Sequence, residues 1–361
     1  MSLDSSMKTK FSAKDLKLPA MPMDFPILLN PYVDSDWVEQ SIDLVERSGL
    51  IVRQGGKIRN APGVGMPGPD GRTGSGLNNN PEGAEFDFRA IGIFGFHALP
   101  TASREAVQAL ADFVIWLYFW DDGFMDTAEP NISELNFEIS AICRVLDGGT
   151  PKTPISTMIH DIRLRFGELG GYEALYRFTE DVRGYVFGCL AEIVSRTTGR
   201  FPHNIDEYEP LRIVNSAVLP TLDFCEISSG AGYIPSSFFA SPEIIALRLT
   251  IAKVVSYSND VWSVLREIDN CPLEFGWNLA LVYAQDAGGD MQINIDRAAE
   301  IVNREIGVLY EIYSKLRTNP DESVRLHIDA LRNSVRGMHT WQGTNYRYLR
   351  YWNGCDRRAF D

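Results

Sequence analysis

The chain has few of the residues and patterns that mark several large classes of protein. Its five cysteines are spread over 361 residues without a Cys-x-x-Cys pair, and its five histidines show no ligand spacing. This pattern predicts neither a disulfide framework nor a zinc centre, and it favours reduced thiols in an intracellular protein. The residues concerned are Cys143, Cys189, Cys225, Cys271 and Cys355, with His97, His160, His203, His327 and His339.

Positive charge is also scarce. The chain carries 34 Lys and Arg against 48 Asp and Glu, a formal net charge of −14. Contact with a nucleic-acid backbone needs concentrated Lys and Arg, so we expect no nucleic-acid partner. A small phosphorylated substrate remains compatible with this charge, because divalent cations can bridge acidic ligands to phosphates.

Long apolar runs are absent as well. No stretch approaches the roughly 18 consecutive apolar residues that a membrane span needs. Residues 1–8 lack the apolar core of a signal peptide. We therefore expect no membrane span and a cytoplasmic protein.

What the sequence does contain is helical periodicity. From Arg104 to Trp120 apolar residues recur with the i, i+3, i+7 spacing of one buried helix face, and a similar pattern over 301–316 stops at Asn319-Pro320. A further helix is predicted from about Ser323 into the region of Arg347. Alternating strand patterns bounded by hairpin turns are not evident, so the sequence predicts an all-α, single-domain helical bundle.

Three oxygen-bearing side chains recur every four residues near the centre of the second half. Asn259, Ser263 and Glu267 share one face of a helix, because each step of four residues advances by only about 40°. An amide, a hydroxyl and a carboxylate suit Mg²⁺, which is usually held by one or two carboxylates together with substrate phosphates. The alternative is an ordinary polar helix face.

A second acidic cluster follows the apolar helix of the first half. Asp121, Asp122 and Asp126 lie too close together to stay ionised beside apolar surface without solvent or a cation. A divalent metal explains the cluster, and a solvated acidic helix end is the alternative reading.

With both motifs the chain resembles the class I terpene synthases, in the single-domain form found in microbes. Asp121-Asp122-x-x-x-Asp126 is similar to their aspartate-rich motif, and Asn259-Asp260-x-x-Ser263-x-x-x-Glu267 to their second metal motif. The segment from Trp341 to Tyr348 is similar to their late Trp-x5-Arg-Tyr pattern.

The resemblance implies roles for further residues. It makes Arg212 the diphosphate-sensing arginine, Asn215 the linker and Ser216 the effector residue. It adds Arg266, Arg347 and Tyr348 as contacts of the substrate diphosphate. Asp126 is expected to support the metal ligands rather than to bind directly.

The implied activity is Mg²⁺-dependent cyclisation of a linear isoprenyl diphosphate, with three metal ions in each site. Farnesyl diphosphate is the favoured substrate, and a diterpene cyclase acting on geranylgeranyl diphosphate is the first alternative. A prenyl-elongating synthase and a non-catalytic isoprenoid-binding protein are the others. The resemblance also makes a homodimer possible.

Two features concern the central cavity that this fold implies. Pro220 should bend or break its helix near Ser216 and leave a carbonyl free to face a cation. An ordinary proline kink is the alternative. Aromatic side chains would form the wall and attract positive charge; the candidates are Trp116, Phe119, Trp120, Tyr257 and Trp341. Ordinary core packing is the alternative for the first four.

The domain boundaries follow from the extent of the resemblance. Residues 1–24 are predicted to be an N-terminal tail, 25–355 the catalytic domain and 356–361 a C-terminal tail. Within the domain, residues 54–85 form an atypical loop dense in Gly, Pro and Asn.

Overall fold

The computed structural model describes residues 16–54, 57–61, 87–121, 123, 131–228, 230, 234–270, 277–287 and 290–352. A short 3-10 helix, Pro31–Asp34, precedes the first α-helix. The described helices are α1 Trp37–Arg47, α2 Phe88–Ala98, α3 Arg104–Trp120, α4 Ile132–Leu146, α5 Pro154–Thr198, α6 Ile205–Asn215, α7 Val218–Ser228, α8 Ser236–Phe239, α9 Pro242–Asn270, α10 Leu279–Ala287, α11 Met291–Leu316, α12 Glu322–Thr344 and α13 Tyr346–Leu349. The prediction of an all-α bundle is confirmed.

Helix α3 lies at the centre of the bundle. It spans Arg104–Trp120 as the periodicity predicted, and the Ser103 hydroxyl caps it by accepting the Ala106 N–H. The helix packs against α2, α5 and α7. Nearly every side chain from Ala106 to Trp116 is buried, so α3 is an interior helix with one end at the cavity described below.

Helix α9 carries the predicted second metal motif. It runs over 29 residues and packs against α11, α12, α7 and α6. The motif residues occupy its C-terminal half, where Val261, Val264 and Leu265 face the core. These apolar neighbours fix the rotation of the helix and so decide where the intervening polar residues point.

No strand pattern was evident in the sequence, but the described part of the helical bundle carries one small hairpin. Two short strands, β1 Ile51–Gln54 and β2 Lys57–Asn60, form an antiparallel hairpin in which Val52 pairs with Arg59. The sequence feature that could have predicted this hairpin is the dipeptide Gly55-Gly56, which is typical of hairpin turns and stands between two runs of only four residues. Most of the predicted atypical loop, residues 62–86, lies outside the described residues.

The late helices differ in their limits from the predictions. Helix α11 begins at Met291, ten residues before the predicted pattern, and ends at Leu316 as expected. The predicted helix through Arg347 is broken at Asn345, whose extended backbone separates α12 from α13. The Asn345 side chain then caps α13 by accepting the Arg347 N–H at 2.8 Å.

The described part of the predicted N-terminal tail packs along α11. The Gln292 side chain bonds the Lys17 backbone, and the Asn303 amide donates to the Ala20 carbonyl at 3.2 Å. Met21 and Met23 are buried in the main core. Residues 16–24 are therefore bound to the helical body. Among the described residues no helix is long and apolar enough to cross a bilayer.

The predicted break before Pro220 is present. Helix α6 ends at Asn215, α7 begins at Val218, and Ala217 adopts φ 57°, the one left-handed conformation of a residue other than glycine in the described chain. An alanine in this region carries strain of about 1–2 kcal/mol. Tertiary contacts must therefore hold the break in place.

Replacing Ala217 by glycine should stabilise the protein by up to about 1 kcal/mol, because glycine adopts a left-handed conformation without the clash of a Cβ atom. Urea unfolding measures the change in the free energy of unfolding. Ala141→Gly is the matched control: Ala141 is buried in the interior of α4, so this change should lower stability by about 1 kcal/mol or more. If A217G destabilises the protein as much as A141G does, Ala217 is not strained.

Candidate active site

A cavity of about 220 Å³ opens between the central helices. One part of its wall is apolar and is formed by Phe94, Val114, Leu117, Val218, Val255, Met338 and Trp341. The other part is polar and brings together Asp121, Arg212, Asn259, Arg266, Glu267, Arg347 and Tyr348. These seven are residues that the sequence motifs predicted, and they come from α6, α9, α13 and the end of α3.

The Asn259, Ser263 and Glu267 stripe lies on one face of α9 as predicted. Asn259 and Glu267 line the cavity, while Ser263 is buried and its hydroxyl donates to the Glu267 carboxylate. The Asn259 side-chain oxygen accepts a hydrogen bond from Arg212 at 3.1 Å. The three side chains thus offer oxygen atoms along two turns of one helix.

Asn278 fixes the other side of the Glu267 carboxylate. Its amide donates to Glu267 Oε2 at 2.9 Å and to the Asp260 backbone carbonyl at 2.8 Å. Its own oxygen accepts the Ala280 N–H at the start of α10. Sequence reasoning missed Asn278. An asparagine before an apolar run signals a helix cap, but the contact with α9 exists only in the folded chain.

Glu267 is half-buried, and its carboxylate accepts hydrogen bonds from two uncharged groups, the Ser263 hydroxyl and the Asn278 amide. Burial, together with the nearby Asp260 carboxylate, raises the pKa of Glu267 to about 7. The nearby charges of Arg212 and Arg266 offset only part of this rise.

Arg212 is held by a network that joins α6, α9 and α10. Its guanidinium lies 2.7 Å from the Asp260 carboxylate, and Asp260 also accepts the Tyr208 hydroxyl at 2.5 Å and the Leu279 N–H at 3.2 Å. Burial alone would lower the pKa of Arg212, but the Asp260 carboxylate more than offsets this and raises it above its ordinary value. Arg212 therefore stays charged at the cavity wall.

Arg347 and Tyr348 reach the cavity from the late helix α13. The Arg347 guanidinium stacks over the Tyr118 ring at 4.8 Å, and the Tyr348 ring meets Trp341 edge to face at 6.2 Å. Behind them the Trp352 indole donates to the Trp262 carbonyl at 2.9 Å. The C-terminal segment is thereby fixed to α9 beside Ser263.

The first metal motif is described in part. Asp121 follows directly after α3, is exposed and lines the cavity across from α9. Asp122 and Asp126 lie outside the described residues. The prediction that both motifs face one cavity holds for Asp121.

The aromatic residues predicted for the cavity wall fall into two groups, those that line the cavity and those that lie in the core. Trp341 lines the cavity. Trp116, Phe119 and Tyr257 are buried in the core behind it, which corrects that prediction. The Trp116 indole donates to the Ile155 carbonyl and its ring stacks on Trp120, while the Tyr257 hydroxyl donates to Glu209. Helical position in the sequence did not reveal which face each ring would take.

The donor set fits a hard divalent ion. Asp121, Asn259, Ser263 and Glu267 offer only oxygen atoms, the ligands that Mg²⁺ prefers. Within the described ranges no three Asp, Glu, His or Cys side chains cluster closely enough to hold a metal alone.

Removing the Asn278 amide should weaken metal binding, because residues that orient a metal ligand typically contribute tenfold or more to affinity. We expect Asn278→Ala to raise the Mg²⁺ concentration for half-maximal activity about tenfold. Asn333→Ala is the control, since this buried asparagine on α12 bonds Arg332 and does not line the cavity. An unchanged Mg²⁺ requirement in N278A would contradict the role of Asn278.

The fold and the site agree with a family comparison. The model for terpene synthase family 2, C-terminal metal binding, matches residues 112–307, more than half of the chain and both metal motifs. The chain belongs to this family. It is a class I terpene synthase that uses a divalent metal.

Curated relatives share about a quarter of their residues with the chain. The 10-epi-cubebol synthase of Sorangium cellulosum is 25% identical over 270 residues, covering 72% of this chain and 84% of the relative. A (+)-T-muurolol synthase of Roseiflexus castenholzii is 29% identical over 256 residues, covering 69% and 75%.

Solved structures share the fold. An α-eudesmol synthase superposes with a TM-score of 0.69 at 17% identity, covering 90% of this chain and 99% of its own. A linalool/nerolidol synthase from Streptomyces clavuligerus superposes with a TM-score of 0.68 at 16% identity, covering 90% and 100%. At these identities the likeness concerns the fold alone.

Proposed function

We propose that the chain is a Mg²⁺-dependent sesquiterpene cyclase that ionises farnesyl diphosphate, cyclises the resulting carbocation and releases diphosphate. The observation that carries this proposal is one cavity with two kinds of wall. Asp121, Asn259 and Glu267 meet three arginines at its polar side, and an apolar wall continues from them. The curated relatives named as farnesyl diphosphate cyclising support the choice of substrate.

The polar side would bind the diphosphate. Asp121 and Asp122 on one side, supported by Asp126, and Asn259, Ser263 and Glu267 on the other would hold three Mg²⁺ ions. When bound, the ions neutralise charge that develops on the leaving diphosphate. Arg212, Arg266, Arg347 and the Tyr348 hydroxyl would donate hydrogen bonds to its oxygens, and these bonds strengthen as the carbon–oxygen bond breaks.

The apolar side would guide the cation. Phe94, Val114, Leu117 and Met338 exclude water, which would otherwise quench an allylic cation before a ring forms. The Trp341 ring offers a negative π-face worth about 0.5–2 kcal/mol to a nearby cation. Loss of a proton from the cyclised cation would then give a neutral terpene.

Ser216 would contribute its backbone carbonyl. In a regular helix that carbonyl would accept the N–H of residue 220, but Pro220 has none. Ser216 lines the cavity. A carbonyl without its helical donor would stabilise an adjacent cation.

We further propose that residues 25–355 form one catalytic domain, because the cavity draws residues from α2 to α13. Geranylgeranyl diphosphate as substrate is the nearest alternative. Chain elongation is the next, although the second motif supplies an amide and a hydroxyl where a second aspartate-rich motif would supply carboxylates.

The test is incubation of the purified protein with geranyl, farnesyl and geranylgeranyl diphosphates, with Mg²⁺ or with a chelator, followed by gas chromatography and mass spectrometry. We expect a cyclic C15 product from farnesyl diphosphate only when Mg²⁺ is present. A cyclic C20 product would select the diterpene alternative. Longer diphosphates formed only with isopentenyl diphosphate would select elongation, and absence of turnover would favour a binding protein.

A further inference from the structure

Helix α5 touches the helix break at the cavity through two residues of one face. The Asn215 amide donates to the Glu192 carboxylate at 2.6 Å. Four residues earlier, Gly188 lies so close to the break that a Cβ atom there would sit 3.2 Å from the Asn215 nitrogen and 3.3 Å from its Cα. Residues four apart share a helix face, so one face of α5 both bonds the Asn215 side chain through Glu192 and lets the Asn215 backbone approach closely at Gly188.

The opposite end of the break is held by α7. The Thr221 hydroxyl donates to the Ala217 carbonyl at 2.8 Å, and the Thr221 N–H donates to the same oxygen at 3.3 Å. The Ser216 hydroxyl donates to the Ile213 carbonyl at 2.9 Å. The peptide bond between Ser216 and Ala217 carries the Ser216 carbonyl. The direction of this carbonyl therefore depends on the contacts at both ends of the break.

The arrangement also joins the break to the diphosphate side. Arg212 lies three residues before Asn215 on α6 and therefore on the same face. Glu192 is the one acidic side chain among the described lining residues that belongs to neither metal motif. Its carboxylate accepts a hydrogen bond from the Asn215 amide, which ties Glu192 directly to the break.

We propose that Gly188 and Glu192 are positioning residues that fix the direction of the Ser216 carbonyl and thereby select the cyclisation product, while leaving ionisation largely unchanged. The inference rests on the proposed cyclase function. Removing the Glu192 acceptor, or adding a Cβ atom at Gly188, shifts Asn215 and the strained Ala217 turn, and the Ser216 carbonyl then points elsewhere. The ratio of two products depends exponentially on the difference between the competing barriers, so a modest shift of one dipole changes that ratio.

The variants are Glu192→Ala, which removes the acceptor, and Gly188→Ala, which pushes on the Asn215 backbone. Glu192→Gln keeps an acceptor for the Asn215 amide. Gly184→Ala is the matched glycine control, because its Cβ would meet only Val214, at an ordinary 3.8 Å. Diphosphate release and the product spectrum are measured on the same samples, with a thermal melt to establish folding.

We expect E192A and G188A to change the ratio of the two main products at least about fivefold while diphosphate release stays within about threefold of wild type. E192Q and G184A should both give the wild-type product spectrum. A merely structural role would lower stability without changing the spectrum.

An unchanged product spectrum in folded E192A and G188A would overturn the inference, as would loss of diphosphate release in both. If E192A does not fold, Glu192→Asp, which withdraws the carboxylate by one methylene, carries the same expectation. Absence of diphosphate release by the wild-type protein would instead contradict the proposed function, so the two failures are distinguishable.

Discussion

Replacing Glu267 by glutamine is expected to lower the rate of diphosphate release by about a hundredfold or more. The change keeps the size of the side chain and its contact with Asn278, but it removes the one carboxylate among the three predicted metal ligands of α9. An amide oxygen is a weaker ligand for Mg²⁺ than a carboxylate. The rate is measured by the appearance of free diphosphate from farnesyl diphosphate at saturating Mg²⁺.

Glu243→Gln is the control, since Glu243 lies in the first turn of the same helix and is remote from the motif. It should release diphosphate at the wild-type rate. The folded state of E267Q should be retained or become more stable, because a buried carboxylate whose pKa is raised no longer has to be desolvated. If E267Q releases diphosphate at the wild-type rate at both saturating and limiting Mg²⁺, Glu267 is not a ligand of the catalytic metal.

Replacing Arg212 by methionine is expected to have two separable effects. The rate of diphosphate release per folded molecule should fall about 10²–10³-fold, as on removal of a donor to developing negative charge. The free energy of unfolding should fall by about 3–5 kcal/mol, because Asp260 would be left buried without its cation. The first effect is read from kinetics and the second from urea unfolding.

Arg248→Met separates the two effects. Arg248 is as buried as Arg212, with 12% and 14% of their side chains exposed, and it pairs with the fully buried Asp223 at 2.8 Å. It does not line the cavity. R248M should therefore lose similar stability but keep its rate per folded molecule. Equal kinetic losses in both variants would indicate that Arg212 acts only by holding the fold.

The residues that sequence predicted best are those whose position follows from one helix. Asn259, Ser263 and Glu267 share a face because the helix has 3.6 residues in each turn, and apolar neighbours in the same stretch fix which way that face points. The break before Pro220 was equally predictable, since proline lacks a backbone donor wherever it occurs.

The contacts that sequence could not predict join distant segments. Asn278 meets Glu267 and Glu192 meets Asn215 only because α10 and α5 pack beside those helices. Trp116 and Tyr257 are aromatic residues of the kind that line such cavities, yet both pack in the core behind the cavity. One helix defines its own periodicity, but the face that borders an internal cavity depends on all its neighbours.

The most direct test of metal-dependent ionisation at this cavity is the release of diphosphate from farnesyl diphosphate by the purified protein, measured as Mg²⁺ is titrated and then removed with a chelator. We predict release that rises with Mg²⁺, stops with the chelator, resumes when Mg²⁺ is restored, and is accompanied by a cyclic C15 product. Release that is independent of metal, or no release at any Mg²⁺ concentration, would contradict the assignment of these residues to the ionisation of farnesyl diphosphate.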